Sequence, residues 1–247
     1  MPKTGWLQRR RERIAARRAR PLRQRLVREW LVPITIIALV MTPVRASLID
    51  WNDVPSGSMR PTIVEGDRIV VDKLAYGLRV PLTTRWVARW GEPGRGEVVV
   101  FASPLDGTRT VKRVVGLPGD RLSMRDNVLW LNGRAAELAD AAPGGPATLI
   151  PGWPAPVRLA SETIDGVAHG VALAPARLRF VGDFDELVVP EGVVFVLGDN
   201  RDASTDSRVI GFVPISHVYG RATHVALSID YARGLSPRWE RFFTPMR

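Results

Sequence analysis

Apolar residues in most of this chain come in runs too short for helices, and that sets its fold class. IVVD at 69–72, EVVVFA at 97–102, VKRVVG at 111–116 and VVFVLG at 193–198 are rich in Val and Ile, with Gly, Pro, Asp and Asn between them. A branched Cβ stiffens χ1 and fits a pleated surface better than a helix. Runs of this length bounded by turn residues read as strands. In VLWLNGRAAEL at 128–138, Asn132-Gly133 sits between apolar stretches, a signal for a type I′ hairpin. GFVPISHVYGRATHVALSID at 211–230 has few helix formers, and no convincing amphipathic helix follows residue 50. The expected fold is mainly β.

The N-terminus has a different texture. Residues 1–30 carry Lys3, ten arginines between Arg9 and Arg28, and only Glu12 and Glu29 against them. That is +9 of the chain's formal +10, so the remainder is nearly neutral. A nucleic-acid-binding domain carries its basic stripe on the folded part, and here the charge sits on a tail. An uncharged run, Trp30–Val44 (WLVPITIIALVMTPV), follows at once. It is shorter than the roughly 20 residues a spanning helix needs. It lengthens past Arg45, which can snorkel, to Ala46, Leu48 and Ile49. Trp30 and Trp51 then fall near the two interfaces, and Pro33 and Pro43 in the first and last turns.

Two other readings of that run stand beside an anchor. A buried core helix has no need of ten flanking arginines. A cleavable signal peptide draws support from Val44-Arg45-Ala46, although its basic region is long for one. The favoured expectation is a basic tail at 1–29, one transmembrane helix at 30–49 and an extracytoplasmic domain at 50–247. The positive-inside rule puts the tail in the cytoplasm. Within the domain, residues 131–192 are expected to be a β-rich accessory insertion. Their stretch from 139 is rich in Pro, Gly and Ala and holds no chemical motif.

There is no cysteine, which excludes disulfides and thiolate metal sites. Of 35 basic residues only Lys3, Lys73 and Lys112 are lysines. Arginine stays protonated in proteins, whereas a desolvated lysine can lose its proton and act as a base. A position that stays Lys in so arginine-biased a chain points to that chemistry.

Four segments stand out: PSGSMRPT at 55–62, GDRIVVDKLAYG at 66–77, VKRVVGLPGD at 111–120 and GDNRDASTDSR at 198–208. Read alone, Ser56-Gly57-Ser58 is a flexible hydroxyl-bearing turn of a common kind. A nucleophilic serine needs a base within hydrogen-bond reach and donors for an oxyanion. None of the three histidines falls in a motif segment. His169 lies in the insertion, and His217 and His224 lie in β-like runs that suit structural histidines. Lys112 does fall in one, flanked by Val111, Val114 and Val115, where desolvation lowers an ammonium's pKa. Lys73 is the rival, beside Asp72 and Tyr76 in what reads as a hydrated structural position.

Taken in order behind an apolar segment, these four segments resemble the conserved boxes of the bacterial type I signal peptidases, or leader peptidases. The likeness covers residues 30–77, 111–120 and 198–215. It implies an all-β catalytic domain of the Ser–Lys, repressor-protease-like type, with shallow pockets for small P1 and P3 side chains. By matching position, Ser58 is implied as nucleophile and Lys112 as general base. Ser56 would supply an oxyanion-hole hydroxyl beside the Ser58 N–H, and Ser204 would hydrogen-bond and orient the Lys112 amine. Asp206 and Arg208 would pair behind the site, Asp199 and Asn200 would support it, and Met59 and Val111 would bind substrate. The implied reaction is acyl transfer after an Ala-X-Ala-like site, needing neither metal nor cofactor. Its partners would be exported preproteins and the lipid bilayer, not nucleic acid, for a monomer in the bacterial inner membrane with its catalytic domain in the periplasm.

Many relatives carry two apolar spans before the first box, and this chain offers one. Arg60 after the Met and Ile63 are mild variations. A pilin-maturation protease of the same chemistry is an alternative, as is an inert β-domain on an anchor. A self-cleaving repressor would need a DNA-binding N-terminal domain, which residues 1–50 do not resemble. Trp86, Trp90, Trp239, Phe242 and Phe243 are candidates for resting the domain on a bilayer interface, with ordinary core or surface packing the competing explanation.

Overall fold

The computed structural model describes residues 27–35, 49–54, 56–79, 86–140, 157–174, 182–231 and 233–246. The chain divides into two units, Met1–Ala46 and Ser47–Arg247. In the first, Val27–Leu31 form a π-helical turn that continues α-helically to residue 35, all of it exposed. No helix among the described residues is long and apolar enough to cross a membrane. The arginine tail up to residue 26 and most of the expected span, residues 36–48, lie outside the described residues. One boundary changes: the anchor was expected to run through Ile49, but Ile49 begins a strand and pairs with Asp72.

The second unit is built from strands, as the short Val/Ile runs require. In chain order they are β1 (Ile49–Asp53), β2 (Asp67–Asp72), β3 (Gly77–Arg79), β4 (Trp86–Arg89), β5 (Val98–Ala102) and β6 (Arg109–Gly116). Then come β7 (Arg121–Arg125), β8 (Val128–Leu131), β9 (Arg134–Ala135), β10 (Glu137–Asp140), β11 (Arg158–Ile164) and β12 (Val167–Leu173). The last are β13 (Phe184–Val188), β14 (Val193–Leu197), β15 (Val213–Pro214), β16 (Val218–Asp230) and β17 (Ser236–Pro237). The main sheet runs β1-β2-β16-β5-β6-β14-β15, with β17 added to β16. Its ladders are antiparallel. Smaller sheets are β13-β7-β8-β9, β10-β11-β12 and β3-β4.

Strand β5 explains why EVVVFA reads as an unbroken apolar run. It lies between β16 and β6, and its successive side chains point to opposite faces. Val99 and Phe101 enter one core cluster, with Tyr76, Val114, Val196 and Val218. Val98 and Val100 enter another, with Met59, Ile63, Ile69 and Val71. Each such side chain contributes about 1.5–3 kcal/mol on burial, so the central strands are fixed firmly. Lys112 and Arg113 of β6 stand opposite Val99 and Val98 in this ladder.

The insertion is β-structured but not set apart. Asn132 and Gly133 take positive φ between β8 and β9, as a type I′ hairpin requires. Asp126-Asn127 and Asp165-Gly166 do the same between β7 and β8 and between β11 and β12. Near the end of the insertion, β13 returns to pair with β7. The β11–β12 hairpin reaches the 198–208 segment, where Ala172 forms a parallel bridge with Asn200.

Candidate active site

The serine turn is held from below and from one side. Gly57–Met59 form a 3-10 turn, in which Arg60 N donates to Gly57 O at 3.1 Å. Met59 and Ile63 sink into the core beneath it. Arg60 forks onto Glu65 Oε2, its Nε at 2.8 Å. That pair packs so close to Gly57 that a β-carbon there would stand 2.7 Å from Glu65 Oε1.

The turn presents Ser58 to Lys112. Lys112 Nζ lies 2.6 Å from Ser58 Oγ, and Ser56 Oγ lies 3.4 Å from Ser58 Oγ. The lysine is 3 % exposed. Burial lowers its pKa to about 8, against Asp206 and Asp199, whose charges pull it upward. A cleft of about 570 Å³ opens over the pair; Ser56, Ser58 and Lys112 line it with Leu105, Asp106 and Ile210. No histidine lines it.

The 198–208 segment braces the turn. Asn200 donates its backbone N–H to Ser58 O and its Nδ2 to Gly57 O, both at 3.1 Å. Gly57 C=O and Ser58 N–H belong to one peptide unit, and in a trans peptide they point in opposite directions. Drawing the carbonyl toward Asn200 therefore turns the Ser58 N–H away from it. Asp199 is fully buried in a two-pronged pair with Arg113, at 2.8 and 2.7 Å, and accepts from Thr62 Oγ1 at 2.5 Å. Burial pushes its carboxyl up, but the adjacent guanidinium outweighs that and holds it below the ordinary range. Asp206 and Arg208 form a buried two-pronged pair at 2.9 and 2.8 Å. Asp206 also caps the helical turn Ser207–Ile210 and accepts from Gly198 N at 3.0 Å.

Several expected placements change. Ser204 is buried beside Gly198, but its hydroxyl has no hydrogen-bond partner, so the expected bond to the Lys112 amine is not made. Met59 was expected to bind substrate; it is buried in the core, where a long apolar side chain gains most, and does not line the cleft. Val111 packs against the same core cluster and does not line the cleft either. Lys73 lies just after β2, outside the cleft lining. Its neighbour Tyr76 is not hydrated but buried, its hydroxyl 2.6 Å from Glu97. Sequence reasoning missed Arg113, Thr62 and Glu65. The available signal was a second basic residue, Arg113, inside an apolar strand.

A serine hydroxyl in contact with a buried, weakened amine, on an antiparallel β scaffold, has the constitution of a serine hydrolase. Residues 27–227 match the family described as signal peptidase, peptidase S26. The chain is similar to signal peptidase I of Pseudomonas fluorescens, with 37 % identity over 212 residues, 79 % of this chain and 70 % of that protein. It is 34 % identical to signal peptidase I of Rickettsia massiliae over 227 residues, 81 % of this chain and 79 % of the relative. A crystal structure of a signal peptidase I from Enterococcus faecalis V583 matches with 32 % identity and a TM-score of 0.35, covering 53 % of this chain and 97 % of the other. The chain belongs to the signal peptidase family, peptidase S26, and is a serine peptidase.

Proposed function

We propose that this enzyme removes N-terminal signal peptides from exported preproteins by an acyl-enzyme mechanism, with Ser58 as nucleophile and Lys112 as general base. The observation that carries the reading is the 2.6 Å contact between Ser58 Oγ and an amine 3 % exposed, whose pKa burial lowers to about 8. In the neutral form Lys112 accepts the Ser58 proton as the oxygen attacks the scissile carbonyl carbon. The Ser58 N–H, turned by Asn200, and the nearby Ser56 hydroxyl donate to the oxyanion. As the C–N bond breaks, the Lys112 ammonium returns its proton to the leaving amine of the mature chain. A water, deprotonated by Lys112, then attacks the Ser58 ester and releases the signal peptide as a carboxylate.

Specificity for small residues, as at an Ala-X-Ala site, belongs to this reading through the family resemblance. So does a single-pass topology with the basic tail in the cytoplasm and the catalytic domain outside. The proposed partners are preproteins and a lipid bilayer, with the enzyme acting as a monomer and not binding nucleic acid. Trp90, Trp239 and Phe243 are largely exposed and suit an interfacial role, whereas Trp86 packs against the core and under the Arg79 guanidinium at 4.0 Å. Unchanged lipid dependence in Trp90→Ala plus Trp239→Ala would remove that part.

The test is cleavage of a preprotein by wild type, Ser58→Ala and Lys112→Ala, with the N-terminus of the product sequenced. Wild type should cut after a small residue, and both variants should lose cleavage by at least about a thousandfold. Full activity in either variant would contradict the mechanism.

A further inference from the structure

The segment with no chemical motif supplies one of the most deeply buried acids outside the cleft. Glu162 on β11 is 0 % exposed and forks onto the Arg201 guanidinium, 1 % exposed, with one contact at 2.7 Å. His169 Nε2 on β12 lies 3.3 Å from the same carboxylate. Burial pushes the Glu162 carboxyl up, yet Arg201 and His169 together hold it down at about 2. Two charges removed from water at this depth are costly unless their geometry is good. Hydrophobic residues would fill a hairpin core more cheaply.

What the pair fixes is the segment that grips the nucleophile. Arg201 follows Asn200 directly. The backbone on both sides of Asn200 is stitched to the hairpin: Ala172 N donates to Asp199 O at 2.9 Å, and Arg201 N donates to Ala172 O at 3.1 Å. Ala174 N donates to the Asp202 carboxylate, which also accepts Asn127 Nδ2 at 2.8 and 3.0 Å. Gly170 comes up against Pro61, three residues past Ser58, with 3.0 Å left to a β-carbon. Asn200 then reaches both Gly57 O and Ser58 O.

We propose that Glu162 is a positioning residue for the reaction: through Arg201 it locks the insertion hairpin onto residues 199–202, and so holds Asn200 where it orients the oxyanion donor of the Ser58 turn. The proposal rests on the Ser58–Lys112 reading. It assigns the insertion a catalytic purpose beyond filling space. The hairpin acts as the outer jaw of a clamp, with Asn200 as the contact between jaw and nucleophile.

The experiment uses the full chain in detergent and compares wild type, Glu162→Gln, Glu162→Asp, Asn200→Ala and Glu162→Gln/Asn200→Ala. It measures kcat, KM and the affinity of a peptide boronate that mimics the tetrahedral intermediate, all per folded active site. Glu162→Gln should lower kcat and boronate affinity in parallel, by about ten- to a hundredfold, with KM little changed. Glu162→Asp should recover part of the loss. The double variant should lose less than the product of the two single losses, because the Asn200 side-chain contact can be lost only once. Losses that add, a kcat per folded site equal to wild type, or a fall in Tm alone would overturn the proposal. If Glu162→Gln does not fold, Glu162→Met/Arg201→Met leaves no orphaned charge, and wild-type kcat in that variant would overturn it equally. Ser58→Ala serves as the control: activity there would sink the nucleophile assignment itself, a different failure from an inert Glu162.

Discussion

The backbone N–H of Asn200 meets the carbonyl of Ser58 at 3.1 Å, and its side chain meets Gly57 at the same distance. A motif far along the chain thus fixes both peptide units that flank Ser58. Asn200→Ala keeps the backbone bond and loses the side-chain one. Its kcat should fall about tenfold or more, with KM nearly constant, because the donor is misaimed only where oxyanion charge develops. Steady-state kinetics on a preprotein substrate checks this.

The acid limb of the pH–rate profile should belong to Lys112. With the amine lowered to about 8, the base is protonated at pH 6 and becomes neutral as pH rises. The logarithm of kcat/KM should climb with unit slope and level off above about pH 8. Lys112→Arg should be inactive at every pH tested, since guanidinium keeps its proton. A flat profile between pH 6 and 9 would break the link.

The same burial has a cost in stability. A lysine at about 8 in the folded chain and 10.5 in the unfolded one binds fewer protons when folded between those values. Stability therefore rises with pH across that window, and the deficit is complete below about pH 8. Lys112→Met should abolish activity yet stabilise the domain at pH 7, by up to about 3 kcal/mol. The gain over wild type should shrink as pH approaches 10.5. Thermal melts at pH 7 and pH 10 compare the two.

Gly198 has no room for a side chain. A β-carbon there would strike the Ser204 hydroxyl, and would stand 2.5 Å from Ser58 O. Gly198→Ala should push the Ser58 turn away from Lys112 and lower kcat/KM by about a hundredfold. Its far-UV circular dichroism should match wild type, since Gly198 lies just past the end of β14 and the clash falls on the Ser58 turn and Ser204. Ser204→Ala carries no such clash, and removing a buried unpartnered hydroxyl should raise stability by about 1 kcal/mol.

The strands were legible because burial on both faces of β5, β6 and β14 writes continuous Val/Ile runs, and Asn132-Gly133 marks its turn by the positive φ it must adopt. The turns at Asp126-Asn127 and Asp165-Gly166 carry the same kind of signal. Lys112 could be found from residue chemistry, because a lone lysine in an apolar strand has few other uses. Ser58 needed the resemblance, since a serine in a glycine turn is common. The Arg113–Asp199 and Glu162–Arg201 pairs were not legible: each joins residues far apart in sequence, and nothing local names the partner of a buried arginine. The hairpin's role in holding Asn200 was missed for a related reason, because Ala172 contributes only backbone to it.

The most direct test of the central claim is to stop preprotein turnover with acid within milliseconds and map the trapped ester by mass spectrometry. The acyl group should sit on Ser58, and its amount in Lys112→Ala should fall below detection. An ester on another residue, or a Ser58→Ala enzyme that still cleaves, would contradict the assignment of Ser58 and Lys112.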